Sequence, residues 1–241
     1  VIDSLLDCAF EAFSTSLMTD SSVELEFAKT DCFSIIPYLL QETDKSQVSY
    51  HLYLKFFLLL QNLHTEKLKH QLFECIMTNF DLWIHSTIDN FLLITKHWLR
   101  TLFPSFASQV SLINFKSILN QMMIYFNEND IIKIDLKNPS VAKCKSILSL
   151  LLQFIATISF DFKDFELLIS YINQLYPNQL SIDATIILRE IAHSEPCPLT
   201  SFINEKNFMP YLHSLLKLPK VCPYGIEIIL SMLSKRIINN I

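Results

Sequence analysis

Histidines are the side chains in this 241-residue chain best suited to bind a metal or transfer a proton, and there are seven of them. His64 and His70 lie six positions apart, so on one helix they point to different faces. Neither has an Asp or Cys at the spacing of a metal site. His85, near Trp83, and His97, beside Trp98, are typical of packing or capping residues. The histidines therefore predict no metal site.

Carboxylate pairs are the next candidates for chemistry, because two close carboxylates can act as general acid and base. The nearest pairs are Glu24 with Glu26, Asp130 with Asp135, and Asp161 with Asp164. All lie in predicted turns or first helical turns, where acidic residues favour the helix dipole. No GxSxG motif is present. We therefore predict no catalytic residue and a chain that is not an enzyme.

Six cysteines are spread widely, with no CxxC pair and no Cys/His cluster at zinc-ligand spacing. They are Cys8, Cys32, Cys75, Cys144, Cys197 and Cys222. Free cysteines of this kind are usually small apolar core residues in a reducing compartment. We expect that role here, in the cytosol.

Composition excludes several further functions. Gly225 is the only glycine, whereas phosphate-cradling loops need several, so we predict no nucleotide cofactor and no other cofactor. The net charge is -5 with scattered Lys and Arg, which argues against nucleic-acid binding. The longest apolar run, Ile147–Ile158, is shorter than the roughly 20 residues of a membrane span. The chain begins Val1-Ile2-Asp3 without a targeting signal, and we expect it to be a segment of a longer protein.

Large aromatic residues concentrate at one predicted corner between helices. They are Trp83, Trp98, Phe103 and Phe106. Aromatic side chains bury large areas where helices cross, which favours core packing. They also anchor partners in binding grooves, which is the alternative interpretation.

Apolar residues recur at spacings of three and four, which predicts an all-α fold. In the first half we predict a helix ending near Met18, one from an N-cap at Ser22 to Gln41, one starting at Ser46, one from Thr65 to Phe80, one from Ser86-Thr87 to Pro104, and one from Ser105 or Ser111 to Asn127.

The period fails between Asn127 and Asn138, where we predict a loop with a short extended piece that a protease would cut first. Beyond it we predict a helix from the Asn138-Pro139 cap to Phe160, one from Asp161 or Lys163 to Pro177, one capped by Ser181 that ends near Ser194, and two more separated by Pro219 and Pro223.

About ten helices with short connections favour antiparallel hairpins stacked as an armadillo/HEAT-like solenoid. No repeat of about 40 residues is visible, so the repeats must be degenerate. We predict a single solenoid segment over residues 1–241. A division into 1–127 and 138–241, joined by the loop, is the alternative.

Several runs, taken in order, resemble the helical region upstream of the PH and BEACH domains in BEACH-domain proteins, the group that includes neurobeachin. These runs are Asp81–Ile84, Lys145–Ile155, Phe165–Ile172, Ile186–Ile191 and Phe202–Phe208. The first is similar to a Leu-Trp-Ile turn between two helices of that region. The last is similar to a polar turn before its next helix.

The resemblance implies a large cytoplasmic scaffold in vesicle trafficking and membrane dynamics, with this segment as a helical spacer or docking surface. Its partners would be other domains of the same protein and further proteins, and membrane association would be indirect. Another armadillo/HEAT adaptor, such as a formin-type regulatory module or transport factor, is the first alternative. An all-α enzyme or lipid carrier with an interior cavity is the second.

Overall fold

The computed structural model describes residues 5–19, 21–106, 115–126 and 137–238. Every regular element in these ranges is helical and none is a strand, which confirms the all-α prediction. The chain divides into two compact units, Val1–Ser105 and Phe106–Ile241. The predicted helix start at Ser111 and the predicted loop from Asn127, with its extended piece, lie outside the described residues.

In the described residues, the first unit contains eight α-helical segments, one 3₁₀ turn and two π-helical turns. The helices are α1 (Leu5–Thr19), α2 (Ser21–Lys29), α3 (Ile36–Gln41), α4 (Tyr50–Asn62), α5 (Glu66–Leu72), α6 (Phe80–Trp83), α7 (Ile88–His97) and α8 (Phe103–Ser105). A 3₁₀ turn at Cys32–Ser34 precedes α3. The π-helical turns Phe73–Met77 and Trp98–Leu102 continue α5 and α7.

The second unit contains six α-helices in the described residues. They are α9 (Phe115–Phe126), α10 (Pro139–Ser159), α11 (Phe162–Leu175), α12 (Gln179–His193), α13 (Phe208–Leu216) and α14 (Cys222–Ile238). Consecutive helices pack in pairs, α9 on α10, α11 on α12 and α13 on α14. In addition, α10, α12 and α14 touch in that order, and α11 touches both α9 and α13. The second unit is thus three helical pairs in two layers.

Side-chain caps form at three of the predicted helix starts. The Thr87 hydroxyl accepts from the Asn90 backbone N–H at 3.5 Å, and the Asn138 amide oxygen accepts from the Ser140 N–H at 2.9 Å. Asp161 and Asp164 form a reciprocal capping box at the start of α11. These caps satisfy N–H groups that a first helical turn leaves without partners, and these starts are confirmed.

The predicted helix from Ser22 to Gln41 is wrong. The structure has α2, a 3₁₀ turn and α3 in its place, and Ser22 lies inside α2 rather than at its cap. Pro37 supplies the reason, because it lies in the first turn of α3. Proline has no N–H, and its ring clashes with the preceding turn, so a helix begins at Pro37 more easily than it passes through it.

Two helix starts predicted at serines, Ser46 and Ser181, are also wrong. Ser46 binds the Asp44 carboxylate in a local turn, and Ser49 caps α4 instead. Ser181 is fully buried within α12, whose cap is Asn178. Serine favours turns and caps but also occurs within helices, and the surrounding packing decides among these environments.

Helix α10 has 21 residues and is long and apolar enough to cross a membrane by length and composition alone. The prediction of no span considered only the shorter run within it. One stripe of α10, including Leu148, Leu152 and Ile155, is buried in the core of the second unit. Core helices of soluble proteins pass the same test. The absence of a membrane span therefore stays a prediction.

Polar contacts between distant residues follow a regular spacing. Among the described residues, side-chain hydrogen bonds between positions distant in sequence join residues 38 to 45 apart, the bond from Trp98 to Met77 excepted. The Tyr53–His97 and Glu166–Tyr211 pairs are examples, one in each unit. Each unit therefore brings together residues about one fixed length of chain apart.

Candidate partner-binding groove

Three of the four predicted aromatic residues are core residues. Trp83, Trp98 and Phe103 are completely buried in the first unit. Phe106 is half-buried and belongs to the second unit. Of the two interpretations offered for the aromatic corner, the structure places the first three in the packed core.

Both indole N–H groups donate a hydrogen bond to a backbone carbonyl in that core. The Trp83 N–H donates to the Ile76 carbonyl at 2.6 Å, and the Trp98 N–H donates to the Met77 carbonyl at 2.7 Å. These carbonyls end the π-helical turn that follows α5. The last carbonyls of a helix have no partner within it and are costly to bury unpaired. The two tryptophans therefore cap a buried helix end.

His97 and Tyr53 form a polar pair in which Tyr53 is buried and His97 is half-buried. The Tyr53 hydroxyl lies 3.2 Å from His97 Nδ1, and the two rings meet edge to face. Burial lowers the pKa of His97 and raises the pKa of Tyr53 well above its ordinary value. Both groups are therefore neutral near pH 7.

Glu24 is a buried carboxylate whose partner sequence reasoning missed. It lies in the first turn of α2, as predicted, but only 2% of it is exposed. It accepts the backbone N–H of His64 at 2.6 Å, just before α5. The carboxylate ties two helices together across 40 residues of sequence, and no local pattern signals such a contact.

Among the residues that the structure describes, the side chains that could bind a metal or act as nucleophiles do not form a cluster. No three His, Cys, Asp or Glu side chains there could hold a metal ion. All six cysteines are free, two are buried, and Cys8 is exposed, so the expected core placement is wrong for Cys8. In the second unit Lys145 pairs with Asp183, and the buried Tyr171 hydroxyl has no partner.

The first unit carries an open apolar groove of about 390 Å³ between α1, α2, α3 and α4. We call it the α3 groove. Leu40, Leu52 and Phe56 form its buried floor. The half-buried rings of Phe10, Phe13 and Phe27 form its walls. Among the described residues that line it, none has a charged side chain.

Helix α3 supplies the rim of the α3 groove. Ile35, which precedes α3, and Leu39 line the groove and are 59% and 62% exposed. Tyr38, between them in sequence, is 72% exposed. The break at Pro37 makes α3 a separate helix, which leaves these large apolar side chains at the surface. Contiguous exposed apolar side chains mark interaction sites on soluble proteins.

Cys32 is the one cysteine among the described residues that line the α3 groove. Its thiol lies 3.9 Å from the Phe27 carbonyl, and burial raises the pKa of this thiol. A thiol with a raised pKa is less ionised and therefore a weaker nucleophile. The residue suits packing against an apolar occupant and does not suit covalent chemistry.

The first 50 residues of the chain, which supply most of the groove lining, are rich in acidic residues. Residues 1–50 contain nine Asp or Glu and only two Lys or Arg, a net charge of -7 against -5 for the whole chain. Asp31 and Glu42, both exposed, flank the segment from Cys32 to Gln41. This asymmetry was present in the sequence, but the exclusion of nucleic-acid binding used only the total charge.

The α3 groove escaped sequence analysis because its lining comes from four helices, and each contributes ordinary apolar residues. Pro37, inside a predicted helix, was the one local signal. No protein family, no curated protein and no solved structure matches the chain. The resemblance to BEACH-domain proteins therefore stays a prediction.

Proposed function

We propose that this chain is a non-enzymatic helical scaffold that binds protein partners through the α3 groove. The observation that carries the proposal is an apolar groove, open to solvent, beside large side chains at more than half exposure. Exposed apolar surface of this kind is costly unless a partner covers it. Leucine and aromatic side chains beside a pocket are suitable anchors for a partner.

The proposed architecture is an armadillo/HEAT-like solenoid with degenerate repeats. Two observations support it: the paired, two-layered helices of the second unit, and the spacing of 38 to 45 residues between hydrogen-bonded positions. Armadillo and HEAT repeats are about 40 to 47 residues long, so equivalent positions of adjacent repeats would meet at this spacing. The repeat would then be detectable in the contacts although it is not detectable in the sequence.

Helix α14 offers further support for stacked repeats. Ile226, Leu230 and Leu233 follow the i, i+4, i+7 spacing of one helix face, and each is about half exposed or more. The opposite side of α14 packs on α12 and α13. An apolar outer face is what an internal solenoid helix presents to the next repeat, whereas a capping helix is polar there.

The finer proposal is a scaffold segment of a BEACH-type protein in vesicle trafficking, cytoplasmic and associated with membranes only through other domains. It rests on the runs that resemble that family. Sequencing the transcript beyond Ile241 tests it. PH and BEACH domains downstream would support the family, and a formin-homology region would refute it in favour of the adaptor alternative.

Affinity purification with matched variants tests the binding role. We expect a partner that the wild-type chain retains to be lost by Leu39→Glu, which places a charge on the groove rim. Met209→Glu changes an equally exposed apolar residue of α13 and should retain the partner. Circular dichroism establishes that both variants fold. A partner set unchanged by Leu39→Glu would contradict binding through the α3 groove.

A carrier of an apolar ligand is the second candidate, favoured by the volume of the α3 groove. Its 390 Å³ falls within the roughly 300 to 1,000 Å³ of small-molecule sites, and its lining is apolar. Native mass spectrometry of the purified chain tests this function. A co-purifying lipid that Leu52→Phe displaces would support it, and ligand-free protein that binds no added fatty acid would oppose it.

A further inference from the structure

The exposed face of α3 continues from apolar to acidic. Ile35 and Leu39 are four positions apart, and Glu42 follows three positions later with helical backbone angles. Residues at this spacing lie along one side of a helix. A partner that covers Ile35 and Leu39 therefore meets the Glu42 carboxylate beside them.

Asp31 is a second exposed acidic residue, and it immediately precedes the lining residue Cys32 in sequence. Within the described residues neither Asp31 nor Glu42 forms an ion pair. Of the two basic residues among the first 50, Lys29 is already bonded to Glu26 at 2.5 Å. The segment that supplies the groove rim therefore carries a net negative charge, -7 over residues 1–50.

We propose that the occupant of the α3 groove is a basic amphipathic helix of a partner protein, an inference that rests on the proposed function. Its apolar residues, spaced i, i+3, i+4 and i+7, would enter between the rim of α3 and the phenylalanine walls. Its Lys or Arg side chains would lie over Asp31 and Glu42. Charge complementarity of this kind selects partners and speeds association.

A basic helix fits these observations better than a small apolar ligand. A ligand held within the groove would leave the exposed Tyr38 ring uncovered and would make no use of the flanking carboxylates. The described lining residues also include no Lys or Arg for the head group of a fatty acid. A helix of about 18 residues is roughly 27 Å long and could contact the groove and both carboxylates together.

Two synthetic helices provide the test. Both are about 18 residues long with the same leucine face, and one has lysines and the other glutamates on its polar face. Fluorescence anisotropy measures the affinity of each for the whole chain. We expect the lysine peptide to bind at least about tenfold more tightly at about 50 mM NaCl, and this preference to shrink at about 500 mM as salt screens the charges.

Matched variants localise the effect. Leu39→Glu should abolish binding of the lysine peptide, and Asp31→Lys with Glu42→Lys should remove its advantage. The control changes two exposed carboxylates of the second unit, Glu195→Lys with Glu205→Lys, for the same change of net charge. It should leave the preference intact. Bound lysine peptide should also slow alkylation of Cys32 in the groove.

The outcomes separate this inference from the proposed function. Equal affinities for the two peptides would overturn the basic helix. An equal loss of the preference for the lysine peptide in the control variant would overturn it too. In either case, loss of the purified partner by Leu39→Glu would still support the groove. A fatty acid that binds where neither peptide does would overturn it in favour of a carrier. If the purification experiment also shows no dependence on Leu39, the proposed function fails with it.

Discussion

Gly225 lies at a close approach between two helices. It is buried in α14, and an added Cβ would stand 3.2 Å from Leu216 Cδ2 and 3.3 Å from Leu215 Cβ. It does not have positive φ. The only glycine of the chain therefore serves packing between α13 and α14 rather than a turn, because the missing side chain lets the helices touch.

Substitutions at Gly225 should consequently depend on size. Gly225→Ala should be near neutral, because the helix gains about 1 kcal/mol of propensity and loses a similar amount to crowding at these distances. Gly225→Leu should destabilise the protein by at least about 2 kcal/mol. Urea denaturation gives both free energies of unfolding, and a leucine variant as stable as the wild type would refute the close packing.

His97 should make stability depend on pH in the acidic direction. Burial lowers its pKa in the folded protein, while the unfolded chain keeps a pKa of about 6.5. As pH falls through that unfolded value, the unfolded state takes up a proton that the folded state resists, so stability decreases. His97→Gln keeps a hydrogen-bonding side chain that does not titrate.

Urea denaturation at about pH 7.5 and about pH 5.5 compares the two proteins. We expect the loss of stability between these conditions to be smaller for His97→Gln than for the wild type. His213→Gln, at an exposed position of the second unit, is the control and should behave as the wild type. Identical losses in all three proteins would show that His97 titrates normally.

Helix ends in this chain close without glycine. No described residue has positive φ, so the left-handed conformation that often ends helices is absent from the described ranges. Helices α4, α10, α11 and α12 pass directly into an extended residue. The buried end after α5 takes its donors from Thr78, Asn79 and the two indoles.

Removing an indole N–H should show how much its hydrogen bond to that buried helix end contributes to the free energy of unfolding. Trp98→Phe leaves the buried Met77 carbonyl without this partner, a loss of about 1 to 3 kcal/mol, and adds a cavity. Phe103→Leu, an apolar change at an equally buried position, is the control. We expect Trp98→Phe to reduce the free energy of unfolding by more than Phe103→Leu does. A smaller reduction for Trp98→Phe than for Phe103→Leu would contradict the capping role.

Uncovered apolar surface is the property that most concerns the chain as a whole. Ile226, Leu230 and Leu233 form an exposed stripe on α14. An exposed apolar patch of this kind promotes association between molecules. Copies of this chain should therefore associate through the stripe when nothing else covers it.

Sedimentation velocity over a range of concentrations measures that association. We expect wild-type chain to form dimers or larger species, and Leu230→Lys with Leu233→Lys to shift it toward monomer without a change in stability beyond about 0.5 kcal/mol for each exposed site. Met209→Lys adds positive charge on α13 and should not prevent association. A monomeric wild type would contradict the prediction.

The sequence alone determined the all-α class and several helix boundaries. Thr87, Asn138 and Asp161 mark helix starts because a cap acts on backbone groups two or three residues away. Helical hydrogen bonds are equally local, so a short window of sequence contains the information. Pro37 is a local signal of the same kind, because proline indicates the first turn of a helix. The predicted helix through that residue was wrong because this signal was not used.

Tertiary structure alone decided the groove, the tasks of the tryptophans and the partners of the buried polar groups. Glu24 meets His64, and Tyr53 meets His97, across 40 and 44 residues of chain. Such contacts depend on which helix faces come together, and many leucine-rich faces are interchangeable in a local pattern. The α3 groove is the space that four such faces leave unfilled, and packing alone determines a space of that kind.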